Sequence, residues 1–182
     1  MIVMEFLEGG DLFSLVINRS KNQQPVNEQF LAPAFRSAME SLRSIHNRKY
    51  LHRDLKLDNM VLTSTADDAV VKIIDCGYFC HAPEGVVQVT GLVGSPGYFA
   101  PESLQTTTGF REYSTKSDVW QAGCALYIML SGKCSAAAAG VEGESGQVRT
   151  GQVWSGQDRT GWGIVLDDCA RYCLALASVL FE

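Results

Sequence analysis

Between His52 and Asn59 the chain reads HRDLKLDN, which places an acid, a cation and an amide within one short stretch. Asp54 can accept a proton from a hydroxyl, Lys56 can neutralise a phosphate, and Asn59 can offer its amide oxygen to a hard cation. Asp75 follows further along, before Cys76-Gly77, where a carboxylate beside a permissive glycine can complete a magnesium site. Taken singly, each residue reads equally well as an exposed polar group or a cap. Their joint spacing points to phosphoryl transfer, whose catalysis consists mostly of positioning and charge neutralisation.

Several elements must hold these groups. Residues 1 to 7 form a short apolar run that suits a strand end, and Glu8-Gly9-Gly10 breaks it. Asp11 suits the N-cap of a helix that begins LFSLV. From Asn27, the spacing of Phe30, Leu31, Ala34, Phe35, Ala38, Met39, Leu42 and Ile45 predicts an amphipathic helix ending near Asn47. MVLTS and VVKIID, separated by the polar TADDA, read as a two-stranded ribbon flanked by the candidate groups. Residues 76 to 113, rich in Gly and Pro, read as a long loop, of a length that is usually functional or disordered. Residues 118 to 130, DVWQAGCALYIML, are apolar on nearly every face and predict a centrally buried helix.

The 182 residues include 46% hydrophobic side chains, enough for a buried core. A net charge of -5 gives no basic footprint for nucleic acid, and the scattered Lys and Arg form no run for anionic lipid. The N-terminal residues lack the features of a secretory signal, and no uncharged run is long enough to span a bilayer. The expectation is a soluble protein of the cell interior, in the cytoplasm, with no nucleic-acid or membrane partner. Six cysteines show no CxxC pair or zinc spacing, so reduced thiols are expected. Past Cys134 come AAAAG and then GQVRT, GQVWS and GQDRT, a repeat with no recurring apolar position, which reads as a linker over 134–161. Residues 162–182 read as a further helical segment.

HRDLK with Asn59, then Asp75-Cys76-Gly77, Ala100-Pro101-Glu102 and Asp118-Val119-Trp120, resemble in this order the signature of the protein kinase family. The resemblance covers roughly residues 1–133 and is of the serine/threonine type, since Lys56 stands two residues past Asp54. It implies an α+β fold, the mainly helical C-terminal lobe of a protein kinase with a short β ribbon and without the N-terminal sheet lobe. It also implies ATP and Mg2+ as cofactors and protein Ser/Thr hydroxyls as acceptors.

By the same resemblance, Asp54 handles the acceptor hydroxyl proton, Lys56 stabilises the transferring phosphoryl group, and Asn59 and Asp75 hold magnesium. MIVMEFLEGGDL looks like the hinge, with Met4 as gatekeeper, Glu5 to Leu7 facing adenine, Asp11 near ribose and Val61 in the floor beneath the base. His52 packs and orients the loop. Arg53 marks a type regulated by phosphate in the activation segment, with Thr90 the nearest candidate because Gly91 occupies the usual phosphosite. Ser95 is expected to bond Asp54, and Asp118 to accept backbone N–H groups of the HRD loop. Asp11 and Asp58 match acidic positions of kinases that favour basic residues around the phosphosite.

The departures are specific. Cys76 replaces a phenylalanine, the arginine that would pair with Glu102 is replaced by the repeat region, and the Gly-rich loop, strand lysine and αC glutamate are absent. Two other readings therefore stand beside the kinase: a noncatalytic interaction module built on the lobe, and a fragment of a longer active kinase.

Overall fold

The structure, a computed structural model, describes residues 3–22, 28–66, 68–106 and 109–131. The linker expected at 134–161, the segment at 162–182 and the boundary at 133 lie outside the described residues.

Helix α1 spans Leu12–Lys21. Asp11 Oδ1 accepts the Ser14 N–H at 2.7 Å, satisfying a donor that has no partner within the helix. Helix α2 spans Glu28–Asn47 and places its apolar stripe inward, with Leu31, Ala34, Phe35, Ala38, Met39 and Leu42 buried. Each large aliphatic or aromatic side chain so buried contributes about 1.5–3 kcal/mol.

The ribbon is β2 (Met60–Leu62) paired antiparallel with β3 (Val71–Ile73), with Val61 opposite Lys72. It follows β1 (Tyr50–Leu51) in the chain. Helix α2 grips the ribbon through Val71: the Val71 N–H donates to Ser37 Oγ at 2.7 Å, and Ser41 Oγ donates to the Val71 carbonyl at 3.1 Å. Two serines on the helix thus satisfy the free edge of β3, where unpaired backbone groups would otherwise be costly.

Of the strand end expected over residues 1 to 7, the described residues 3–7 carry no strand. The chain pairs with β2 slightly later. Gly9 N–H donates to Leu62 O at 3.1 Å, Leu62 N–H donates to Gly10 O at 3.0 Å, and Asp11 bridges to Val61. The glycines let the backbone approach this closely: a Cβ on Gly9 would lie 2.2 Å from Ser64 O.

The expectation of loop throughout 76–113 also changes. Within it lie β4 (Cys80–His81), β5 (Val86–Val89), the short helix α3 (Pro101–Leu104) and the start of β6 (Arg111–Ser114). β4 pairs with β1, and β5 pairs with β6 over four rungs from Val86↔Ser114 to Val89↔Arg111. The partners of each ladder are far apart in sequence, so no hairpin turn signals the pairing.

Helix α4 spans Thr115–Ser131, three residues earlier than expected. Its first turn is fixed by Ser117 Oγ, which accepts the Ser114 N–H at 3.1 Å in the manner of one half of a capping box. Ala122, Cys124, Ala125, Ile128 and Met129 bury against α2 and the ribbon in one cluster that also holds Leu55 and Leu57. Among the described residues no helix is long and apolar enough to cross a membrane, and Cys76, Cys80 and Cys124 are free thiols.

Candidate active site

HRDLKLDN begins directly after β1, turns through a 3-10 segment at Leu57–Asn59 and enters β2. Leu55 and Leu57 are fully buried, so the intervening polar residues are displayed from anchored backbone.

Asp54 is only 4% exposed, and its Oδ1 is buried with no hydrogen-bond donor. Its Oδ2 lies 3.2 Å from Lys56 Nζ, and the same ammonium donates to Ser95 Oγ at 2.8 Å. Ser95, expected to bond Asp54, therefore reaches it only through Lys56. The ammonium is the stronger donor and sits between the two. An unpartnered carboxylate oxygen beside a fixed cation can accept a hydroxyl proton while the cation faces an incoming anion.

The loop backbone is held from α4. The Asp118 carboxylate is fully buried and accepts the His52 N–H at 2.9 Å on Oδ2 and the Arg53 N–H at 2.8 Å on Oδ1. Gln121 Oε1 accepts the Leu55 N–H at 2.9 Å, and its Nε2 donates to Arg53 O at 3.0 Å. Arg53 needs this support because its φ of 68° is left-handed, a conformation that costs a non-glycine residue about 1–3 kcal/mol.

His52 is fully buried. Its Nδ1 accepts the Asp54 N–H at 3.2 Å and its Nε2 donates to Ile74 O at 3.1 Å, a pattern that requires the neutral ring. Burial lowers its pKa below the usual 6.5, and the Asp118 carboxylate opposes that shift without cancelling it.

Two residues offer oxygens to a cation. Asn59 Nδ2 donates to Asp54 O at 2.9 Å, which leaves Oδ1 without a protein donor among the described residues. Asp75 stands exposed at the end of the ribbon in a left-handed conformation, φ 65°, and one carboxylate oxygen accepts the Gly77 N–H at 3.0 Å. A carboxylate and an amide oxygen suit magnesium, which takes one or two protein oxygens and completes its shell with water and phosphate. No group of three or more His, Cys, Asp or Glu that could hold a metal occurs among the described residues.

The other candidates are spread around this centre. Val61 is half-buried in β2 between Met60 and Leu62, both buried. Leu7 is half-buried, Met4 is 72% exposed, and Glu5 forms an ion pair with Lys72. Asp11 commits one carboxylate oxygen to its helix cap. Thr90 is exposed just after β5, and Asp58 is exposed within HRDLKLDN, in its Leu57–Asn59 turn. Glu102 does not go without a partner: its Oε1 accepts a hydrogen bond from Ser117 Oγ at 2.8 Å.

Four contributors were not picked out from the sequence. Gln121 had a usable signal, since a lone amide inside an apolar helix must find partners when buried. His46, whose Nε2 lies 2.8 Å from Asp118 Oδ2, had none beyond its place at the end of α2. Tyr113, whose hydroxyl accepts from Val93 N–H at 2.7 Å and donates to Val93 O at 3.0 Å, depends on a contact made across the loop. Phe79 is set edge-on to His52, with ring centroids 5.0 Å apart.

Comparison with known proteins gives the family of this fold. The protein kinase domain matches residues 1–154. Over 132 residues the chain is 39% identical to calcium-dependent protein kinase 27 of Arabidopsis thaliana, covering 72% of this chain and 26% of that protein. Over 131 residues it is 37% identical to calcium-dependent protein kinase 9 of Oryza sativa subsp. japonica, covering 72% of this chain and 21% of that protein. The chain thus spans about a quarter of the length of these curated relatives. It belongs to the protein kinase family.

Proposed function

We propose that this chain carries the substrate-side part of a serine/threonine protein kinase, which transfers the terminal phosphoryl group of ATP to protein hydroxyls. The observation that supports this best is Asp54, whose buried Oδ1 has no donor while Lys56 stands 3.2 Å from Oδ2. In this reading Asp54 orients and deprotonates the acceptor hydroxyl and Lys56 meets the phosphoryl oxygens. Asn59 and Asp75 would hold Mg2+, which would supply charge neutralisation for the phosphates. Met4, the backbone from Glu5 to Leu7, Asp11 and Val61 receive the nucleotide.

Arg53 is the residue that would receive a phosphate, with Thr90 as its candidate phosphosite. Asp11 and Asp58 favour basic residues near the acceptor Ser or Thr. The relatives' names add calcium control to the proposal, which also includes a cytoplasmic location.

The test is magnesium-dependent phosphate transfer from ATP to a basic serine peptide, run with and without calcium, using the chain and its Asp54→Asn variant. Transfer that Asp54→Asn abolishes supports the proposal. Transfer that survives this substitution, or a wild-type chain with none, overturns catalysis by this chain. The second result favours the reading as a noncatalytic interaction module.

A further inference from the structure

One imidazole joins the two arms of the site. His52 takes the Asp54 N–H on Nδ1 and gives its Nε2 proton to the carbonyl of Ile74, the residue before Asp75. The separation of Asp54 from Asp75 therefore depends on where this ring lies and how it is turned. Its two bonds differ in kind, one accepted and one donated, so a flipped ring or the other tautomer satisfies neither.

The ring's orientation is set from one side by Phe79. The two rings meet edge to face at 63°, with centroids 5.0 Å apart, in the arrangement that aromatic quadrupoles favour. The strand pairing explains the contact. β1 and β4 are in antiparallel register with Leu51 opposite Cys80, and His52 and Phe79 are the residues just beyond that last pair on each side. Tyr50 also lies near Phe79, with centroids 6.5 Å apart, and His81 lies tilted against Tyr50 at 5.2 Å. Phe79 is half-buried and contacts both His52 and Tyr50. Its own N–H donates to Cys76 O at 3.1 Å, closing the turn that follows Asp75. Cys76 itself is exposed and supplies no ring.

We infer that Phe79 is a positioning residue of this site: its ring holds the His52 imidazole as the bridge that fixes the Asp75 end of the ribbon relative to Asp54. Cys76, although adjacent to Asp75, has no part in this. The inference rests on the proposed roles of Asp54 and Asp75, and the experiment separates the two.

The 182-residue chain with isotope-labelled histidine is compared with Phe79→Ala, Phe79→Leu, Phe79→Tyr and Cys76→Ser. His52 tautomer is read by long-range proton–nitrogen NMR, and manganese affinity by proton relaxation with manganese as the magnesium probe. The wild-type chain is expected to show a single Nε2-protonated tautomer at neutral pH. Phe79→Ala and Phe79→Leu give an averaged His52 signal and bind manganese about tenfold more weakly, as loss of an outer support does in metal sites. Phe79→Tyr keeps both properties, and so does Cys76→Ser.

Should Phe79→Ala fail to fold by circular dichroism, Phe79→Leu carries the comparison, since it keeps apolar bulk without the ring. A wild-type His52 signature in both ring-deleting variants overturns the inference, as does a Cys76→Ser change as large as theirs. If the ring-deleting variants lose the His52 signature but the wild-type chain binds no manganese, the bridge stands and the metal role of Asp75 falls.

Discussion

Asp118 Oδ1 accepts the backbone N–H of Arg53 at 2.8 Å, although the two residues lie 65 positions apart. The other carboxylate oxygen takes the N–H of His52, so one buried side chain anchors two consecutive peptides, the second of them in a left-handed conformation. Replacing Asp118 by Ala strands both donors, and a buried unsatisfied donor costs about 1–3 kcal/mol. Asp118→Ala is therefore expected to lower unfolding stability by about 2–5 kcal/mol, read from urea midpoints. Asp118→Asn, which keeps one acceptor oxygen, should fall between that variant and the wild type.

Lys56 touches both Asp54 and Ser95 from a partly exposed position, and its removal leaves the buried Asp54 carboxylate without its ion-pair partner. Lys56→Met is expected to leave the circular dichroism spectrum unchanged while lowering phosphate transfer to a peptide about 10²–10³-fold, the usual loss for one charge-stabilising contact. A loss confined to KM, with kcat intact, would show that Lys56 serves only in binding.

Because burial holds the His52 pKa below its ordinary 6.5, the unfolded chain binds a proton more readily than the folded one as pH falls through that value. This contribution to stability is complete above pH 6.5 and is lost as pH drops from there toward the lowered folded value. The slope for a single group cannot exceed about 1.4 kcal/mol per pH unit. Urea midpoints measured from about pH 7.5 to about pH 5.5 should fall more steeply for the wild type than for His52→Phe, which cannot titrate at this position.

Gly94 adopts φ +118°, and a Cβ there would stand 2.7 Å from Arg53 O. That carbonyl also accepts from Gln121, whose other end holds the Leu55 N–H. Gly94→Ala combines backbone strain with a clash against the Arg53 carbonyl and is expected to cost about 1–3 kcal/mol or more. Hydrogen exchange should show faster opening at Leu55 than in wild type.

Tyr113 is buried, and its hydroxyl both accepts from and donates to the backbone of Val93. Its ring also lies 5.9 Å from the Arg53 guanidinium carbon. Tyr113→Phe keeps the ring and removes both hydrogen bonds, for an expected loss of about 1–3 kcal/mol. Exchange should quicken around Val93, while α2 keeps its protection.

Local pattern was enough for those parts of the protein whose physics lies within one segment. The stripe of α2 is legible because burial repeats at the helical period within twenty consecutive residues. The ribbon is legible because its strands lie close in sequence and bracket a polar turn. HRDLKLDN is legible because the groups that could do chemistry sit on one short loop whose leucines anchor it.

Sequence alone thus determined the family, the central helices and the residues to suspect. Tertiary structure decided which partners those residues have. Ser95 meets Lys56 and not Asp54, Glu102 takes Ser117, and β5 finds β6, because each choice depends on which surfaces the core brings within about 3 Å of one another. The placement of Phe79 against His52 is of the same kind: it follows from the register of β1 with β4, and a register between strands that are distant in the chain is set by burial across the fold and not by any signal within either strand.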